Sequence, residues 1–246
     1  MVERFRDRSA LVTGASGDIG SAVARGLVAE GARVTLVDRD AAAVTALAAE
    51  LGEAAHAEPA DVTVEADVER AVAAAARFGE GLHLVFNNAG IEGPIGPLHE
   101  LDLAALTHVL QVNVVGAAAV LKHALPLLGA GGVVVQSGST AGLSGAPSVG
   151  PYVASKHALV GLTRVASREV AARGVRVVAI CPGPVAGRMM SSIDGGRTGS
   201  RTVPTALDGG RYATVDEIAG AVLFLLGPEA GFVAGSTFVV DGGRLA

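Results

Sequence analysis

Several residue types are scarce in this sequence, and each scarcity removes a class of protein. One cysteine, Cys181, in 246 residues excludes a disulfide framework. Set in the apolar run VRVVAICPG, it reads as a core thiol. Basic residues number 19 against 24 acidic ones, for a formal net charge of −5, so no basic face is expected for nucleic acid. The six histidines show no HExxH-type or paired-cysteine spacing, so no metal site is expected. No apolar segment follows Met1, which argues against a secretory signal. The longest apolar stretch, VNVVGAAAVL at 112–121, ends at Lys122 and is too short to span a bilayer. A cytoplasmic protein without membrane attachment is the expectation. Tyrosine and lysine are also scarce, with two of each, and one of each falls in YVASK, as Tyr152 and Lys156.

What is abundant is apolar surface and glycine. Half of the residues are hydrophobic and 34 are glycine, about double the ~7 % of ordinary proteins. Short β-branched runs (SALVTG, RVTLVD, LHLVFNN, GGVVVQSG, VRVVAICPG, GSTFVVDGG) alternate with alanine-rich helical stretches. That alternation predicts βαβ units: an α/β fold with a single Rossmann-type, doubly wound parallel sheet of about seven strands, flanked by helices on both faces. The strands are continuously apolar, as strands covered on both faces must be. No repeat or compositional break divides residues 1–246, so one domain is expected. The segment 102–128 reads as one long helix. Residues 187–212, rich in Gly, Ser, Thr and Arg, read as a long loop and a mobile lid over a substrate site. In it Met189 and Met190 offer an adaptable apolar wall, and Arg188, Arg197 and Arg201 either meet an acidic substrate or face water.

TGASGDIG, at 13–20, follows the first strand and opens the first helix. This is the setting of a glycine loop whose backbone approaches a pyrophosphate at a helix N-terminus. Gly14, Ser16, Gly17, Asp18, Ile19 and Gly20 are the candidate contacts. The second strand ends at Asp38, near the ~20-residue spacing expected for the acid that binds the adenosine ribose. A carboxylate there accepts from both ribose hydroxyls and repels a 2′-phosphate, which favours NAD over NADP; Arg39, beside it, is the opposing hint.

With these motifs the sequence resembles the short-chain dehydrogenase/reductase family, classical type. The resemblance runs through nearly the whole chain: the glycine loop, Asp38, DVT at 61–63, NNAG at 87–90, Asn113 in LQVNVVG, Ser139 in SGSTAG, YVASK at 152–156, CPGPV at 181–185 and VVDGG at 239–243. It implies that Asp61 and Val62 border the adenine. Asn88, Ala89 and Gly90 would line the cofactor cleft, with Asn87 beside them, and Pro182, Gly183 and Val185 would lie against the nicotinamide end. Tyr152 would be the general acid/base, its phenol pKa lowered by the Lys156 ammonium four residues on. Lys156 would also hold the nicotinamide ribose, Ser139 would polarise the substrate oxygen, and Asn113 would hold a water linking Lys156 to solvent. The implied activity is NAD-dependent hydride transfer between nicotinamide and a secondary alcohol/ketone pair, in a homotetramer. An NADPH-dependent 3-oxoacyl-carrier reductase, a catalytically silent dinucleotide-binding module and an interaction protein built on the long helices are the alternatives.

Two positions depart from the family pattern. The middle glycine of T-G-x-x-x-G-x-G falls on Asp18, which would repel a pyrophosphate unless it turns away or caps the helix. After the PG motif, Gly187 stands where the family often has threonine, and Ser191 or nearby backbone is the expected substitute.

Overall fold

The parallel sheet follows from strands whose two faces are both apolar. In the computed structural model, which describes residues 3–196 and 210–246, β1 (Ser9–Thr13) is buried along its whole length. Its side chains alternate between two cores. Ala10 and Val12 face one helical layer and Leu11 the other. Leu84 and Phe86 against Val85 in β4 (Leu82–Asn87) repeat the pattern, as do Val133 and Val135 against Val134 in β5 (Leu128–Ser137). β6 (Arg176–Pro182) does the same with Val178 and Ile180 against Val177. The first layer is α1 (Asp18–Ala29), α2 (Ala41–Leu51) and α8 (Val215–Leu226), with Leu27, Ile218 and Leu225 fully buried. The second is α3 (Glu65–Phe78), α5 (Ala117–Ala124) and α6 (Gly150–Val170), with Val72, Val120 and Val170 buried against the sheet.

Seven strands lie in the order β3-β2-β1-β4-β5-β6-β7, all parallel, with β2 at Arg33–Asp38 and β7 at Thr237–Val240. Chain order reverses between β1 and β4, and the carboxyl ends of those strands open the crevice where doubly wound sheets bind ligands. β3 (Ala55–Pro59, AHAEP) carries no β-branched residue and is half-exposed at the sheet edge. Its pairing with β2, from Val34–Ala55 to Asp38–Pro59, makes it a strand. A proline ends it, as an edge strand readily tolerates.

The expected long helix is divided. Leu103–Leu110 (α4) is followed by a π-helical turn at Gln111–Gly116, then α5 and a 3₁₀ turn at Leu125–Leu127. The extra residue per turn at the π segment swings Asn113 inward, where it is fully buried. The helical run Leu103–Leu127, with mean hydropathy 1.7, is long and apolar enough to cross a membrane, contrary to what the shorter apolar stretch implied. Here it packs on α3 and α6 against one face of the sheet. The segment expected to be a loop begins with a helix, α7 (Arg188–Gly196). Residues 197–209, including Arg197 and Arg201, lie outside the described residues. The chain returns at Ala213, which pairs with Pro184–Ala186 through two backbone hydrogen bonds of 2.9 and 3.0 Å.

Candidate active site

A cavity of about 700 Å³ runs over the carboxyl ends of the strands, from the glycine loop and Asp38 at one end to Tyr152 and α7 at the other. The loop at its first end is built by close backbone contact. Gly14 has φ +63°, and a Cβ there would lie 2.9 Å from the Ala89 Cα. A Cβ on Gly20 would lie 2.1 Å from the Gly14 carbonyl oxygen. Only glycine serves at either place. Thr13 ties this loop to the end of β4, its hydroxyl accepting from the Asn88 and Ala89 amides at 2.9 and 3.1 Å. The Asn88 side chain donates back to the carbonyls of Thr13 and Gly14. Asn87 is buried and structural, bonding Thr13 and the Ala117 carbonyl.

Asp38 points into the cavity and is organised by its neighbours. It accepts from the Ser16 amide at 3.0 Å, the Ser16 hydroxyl at 2.7 Å and the Asp40 amide at 3.1 Å. Arg39 is exposed at the same rim. Asp61, Val62 and Thr63 continue the wall. One Asp61 oxygen accepts from the Thr63 amide and hydroxyl at 2.8 and 2.7 Å, so Asp61 also shapes the turn that leads into α3. Gly90, Pro182, Gly183 and Val185 line the cavity as well.

Of the two arrangements expected of Asp18, turning away or capping the helix, the structure has the first. Gly17 is the N-cap and Asp18 the first helical residue. Its carboxylate turns across the cavity and accepts the Arg188 backbone N–H at 2.9 Å. Ser191 is not the expected substitute for a threonine at 187. Its hydroxyl donates to the Gly187 carbonyl at 3.0 Å, and Ser192 lines the cavity instead.

At the other end Ser139, Tyr152 and Lys156 meet. Pro151 in the first turn of α6 starts the helix, and the four-residue spacing puts Tyr152 and Lys156 on one face. Ser139 N-caps a 3₁₀ turn, accepting from the Ala141 amide at 3.1 Å. That turn packs so closely on α6 that a Cβ on Gly142 would be 2.7 Å from the Lys156 carbonyl oxygen. Lys156 is 4 % exposed and donates to the Ser137 carbonyl at 2.6 Å, with its Nζ 5.4 Å from the Tyr152 ring centroid. Burial drives the ammonium down to about 8. Tyr152 behaves differently from the sequence expectation. Burial pushes its phenol up to about 12, Glu92 adds to the rise, and a hydrogen bond to Ser139 works against it. Desolvation is the largest cause and prevails.

Asn113 is brought next to this group, but its side chain is engaged. It accepts from the Ile91 amide at 2.8 Å and donates to the Ile91 carbonyl at 2.9 Å and the Ser155 hydroxyl at 3.0 Å. It is a clamp on the loop that follows NNAG, with Gly90 between it and Lys156: a Cβ on Gly90 would be 3.2 Å from the Asn113 amide oxygen and 3.7 Å from Nζ. Glu92, His108 and Ala146 also line the pocket near Tyr152, with Ile91, Met189 and Met190. Glu92 falls in IEGPIGP at 91–97, a stretch expected from the sequence to line the substrate pocket, whereas His108 carried no motif and was legible only as a neighbour of LQVNVVG. Cys181 is fully buried with its thiol pushed up by desolvation, as a core residue should be. Among the described residues no cluster of His, Cys, Asp and Glu could hold a metal.

Comparison with known proteins agrees with this geometry. A family described as Enoyl-(Acyl carrier protein) reductase matches residues 14–244. The 2-(S)-hydroxypropyl-CoM dehydrogenase 3 of Xanthobacter autotrophicus is 39 % identical over the full length of both chains. A short chain dehydrogenase of Burkholderia cenocepacia in complex with NADP superposes with a TM-score of 0.89 at 33 % identity, covering 99 % of this chain and 100 % of that one. NAD⁺-bound xylitol dehydrogenase gives 0.89 at 31 % identity, over 97 % and 99 % of the two chains. Sequence, sheet order and the Ser139–Tyr152–Lys156 geometry converge: the chain belongs to the short-chain dehydrogenase/reductase family of oxidoreductases, classical type.

Proposed function

We propose that this protein is an NAD-dependent oxidoreductase that interconverts a secondary alcohol and its ketone, with Tyr152 as general acid/base. The observation that carries the reading is one continuous cavity with a carboxylate, Asp38, at its adenosine end and the Ser139–Tyr152–Lys156 group at the other. The residues present fit a dinucleotide. Gly14 and Gly20 permit backbone approach at the N-terminus of α1, and Asp38 is held ready as an acceptor for ribose hydroxyls. When bound, the nicotinamide would supply or take up the hydride.

The chain's own groups handle the proton. Ser139 donates to the substrate oxygen and fixes it near the phenol. In ketone reduction Tyr152 gives its proton to that oxygen as the oxygen gains charge. In alcohol oxidation Tyr152 takes the proton back. Lys156, still charged at neutral pH, stabilises the phenolate that forms and would hold the nicotinamide ribose when the dinucleotide is bound. Because the Asn113 side chain is occupied by Ile91 and Ser155, a water held by Asn113 would have to use its main chain.

Asp38 favours NAD, and Arg39 at the rim is what could accommodate a 2′-phosphate. The reading extends to a cytoplasmic homotetramer with no nucleic-acid or membrane partner. Exposed Leu103, Val115 and Val165 on the second helical layer, and Phe232, Val239 and Leu245 near the carboxyl end, are apolar surface suited to assembly. The test is Tyr152→Phe, assayed across secondary alcohols and ketones with both cofactors. Turnover should vanish while NADH binding, followed by fluorescence titration, stays within about twofold; retained turnover would remove Tyr152 from the mechanism.

A further inference from the structure

The two positions that depart from the family pattern touch each other. Asp18 opens α1 and Gly187 immediately precedes α7, 169 residues later, and the Asp18 carboxylate accepts the Arg188 N–H at 2.9 Å. Gly187 does not lie in the left-handed region, so its backbone would admit any residue. What it lacks is room. A Cβ there would sit 2.5 Å from the Asp18 Oδ2 and 3.3 Å from its Cγ. A carboxylate is the flexible end of a side chain, so an alanine at 187 would displace it, and the displaced carboxylate would leave the Arg188 N–H.

We propose that Asp18 and Gly187 act as one coupled device, in which the Asp18 carboxylate fixes the first turn of α7 and thereby positions Met189, Met190 and Ser192 in the pocket wall. Asp18 is a positioning residue in this arrangement, not a ligand of the dinucleotide. Its charge is spent on Arg188 rather than aimed along the glycine loop. The Arg188 side chain is incidental. Its Nε lies 3.9 Å from the carboxylate and its side chain is 77 % exposed, a solvated pair of little consequence. The backbone amide makes the connection.

The main readout is hydrogen–deuterium exchange of the free, full-length protein, so it stands apart from the hydride-transfer reading. In Asp18→Ala, peptides covering 187–193 should exchange faster by roughly tenfold or more, the loss expected for a hydrogen bond to a charged acceptor. Peptides from β5 should be unchanged, which establishes that the variant is folded. Asp18→Asn keeps an acceptor oxygen and should restore most of the protection, and Arg188→Ala should leave it intact. Gly187→Ala should reproduce the Asp18→Ala exchange pattern in the native background and have no further effect in Asp18→Gly. NADH affinity, measured by fluorescence titration, should not weaken in Asp18→Ala. Unchanged exchange at 187–193 in Asp18→Ala, additive effects of the 187 and 18 substitutions, or weakened NADH binding in Asp18→Ala would each overturn the proposal.

Discussion

Replacing Asn113 with alanine separates a clamp from a proton relay. The side chain makes three hydrogen bonds from a fully buried position, two of them to the main chain of Ile91. Alanine leaves the Ile91 N–H and C=O without partners and a void beside Gly90. Ser155 keeps its bond to the Tyr152 carbonyl, so it adds little to the loss. Each unpaired backbone group costs about 1–3 kcal/mol when shielded from water, and Ile91 is only half-buried, so the pair should cost roughly 2–4 kcal/mol. For a chain of this size that lowers the melting temperature by about 4–16 °C. Calorimetry gives this number, and parallel kinetics give its consequence: KM for dinucleotide should rise, because Gly90 and Ile91 line the cavity and lose their anchor. Asn113→Asp keeps an acceptor for the Ile91 N–H but loses the donor, and should fall between. A melting temperature within a degree of the parent, with kcat alone reduced, would refute the clamp and favour the relay.

Asp38→Ala should narrow the preference for NAD over NADP, because it removes both the ribose acceptor and the repulsion of a 2′-phosphate; an unchanged ratio of kcat/KM values would place cofactor choice elsewhere. Glu92→Gln should shift the pH profile of alcohol oxidation. Glu92 raises the Tyr152 pKa, so removing its charge lowers that pKa, and the limb on which activity grows with phenolate should move to lower pH; a stationary or upward-moving limb would contradict this. Phe232→Asp should weaken assembly, read as a smaller particle by light scattering at a given protein concentration. Phe232 is fully exposed in the single chain, and an unaltered mass would exclude that surface from the interface.

The strands with dense β-branched residues were legible because their burial on both faces is written into continuous apolar runs such as VVV at 133–135. β3 was not individually legible, because an edge strand needs little apolar surface and AHAEP gains its structure from the backbone of β2. The π turn at Gln111–Gly116 was hidden for a related reason. Helical periodicity in the sequence barely registers one extra residue, and the turn is held by what Asn113 meets across the fold. Tyr152, Lys156 and Ser139 were found by motif, yet the direction of the tyrosine shift was not. Spacing places a lysine near a tyrosine; it does not say how strongly the fold desolvates the phenol. Asp18 and Gly187 were seen as separate oddities, since no local pattern links residues 169 apart, and only the folded chain places the carboxylate on the Arg188 amide.

The electrostatics of the Tyr152–Lys156 pair constrain the direction in which the site is ready to act. Burial disfavours charge on both groups, with the phenol pushed up to about 12 and the ammonium down to about 8. Near neutral pH these shifts leave Tyr152 a neutral phenol near a charged lysine, the state that the proposed ketone reduction requires. Taking a proton from an alcohol requires the phenolate, and that form is costly in this cavity unless positive charge compensates it. Among the described residues Lys156 is the only buried lysine or arginine, and its ammonium donates to the neutral Ser137 carbonyl rather than to a carboxylate. A lysine already paired with an acid would have its charge spent. Held by a carbonyl dipole, it keeps that charge available for the moment Tyr152 ionises, and the two titrations become properties of the pair. If Tyr152 is the general acid/base proposed above, protonating a ketone needs no change in these resting charges, whereas base catalysis depends on Lys156 remaining protonated, and alcohol oxidation is the direction that loss of the lysine should damage more.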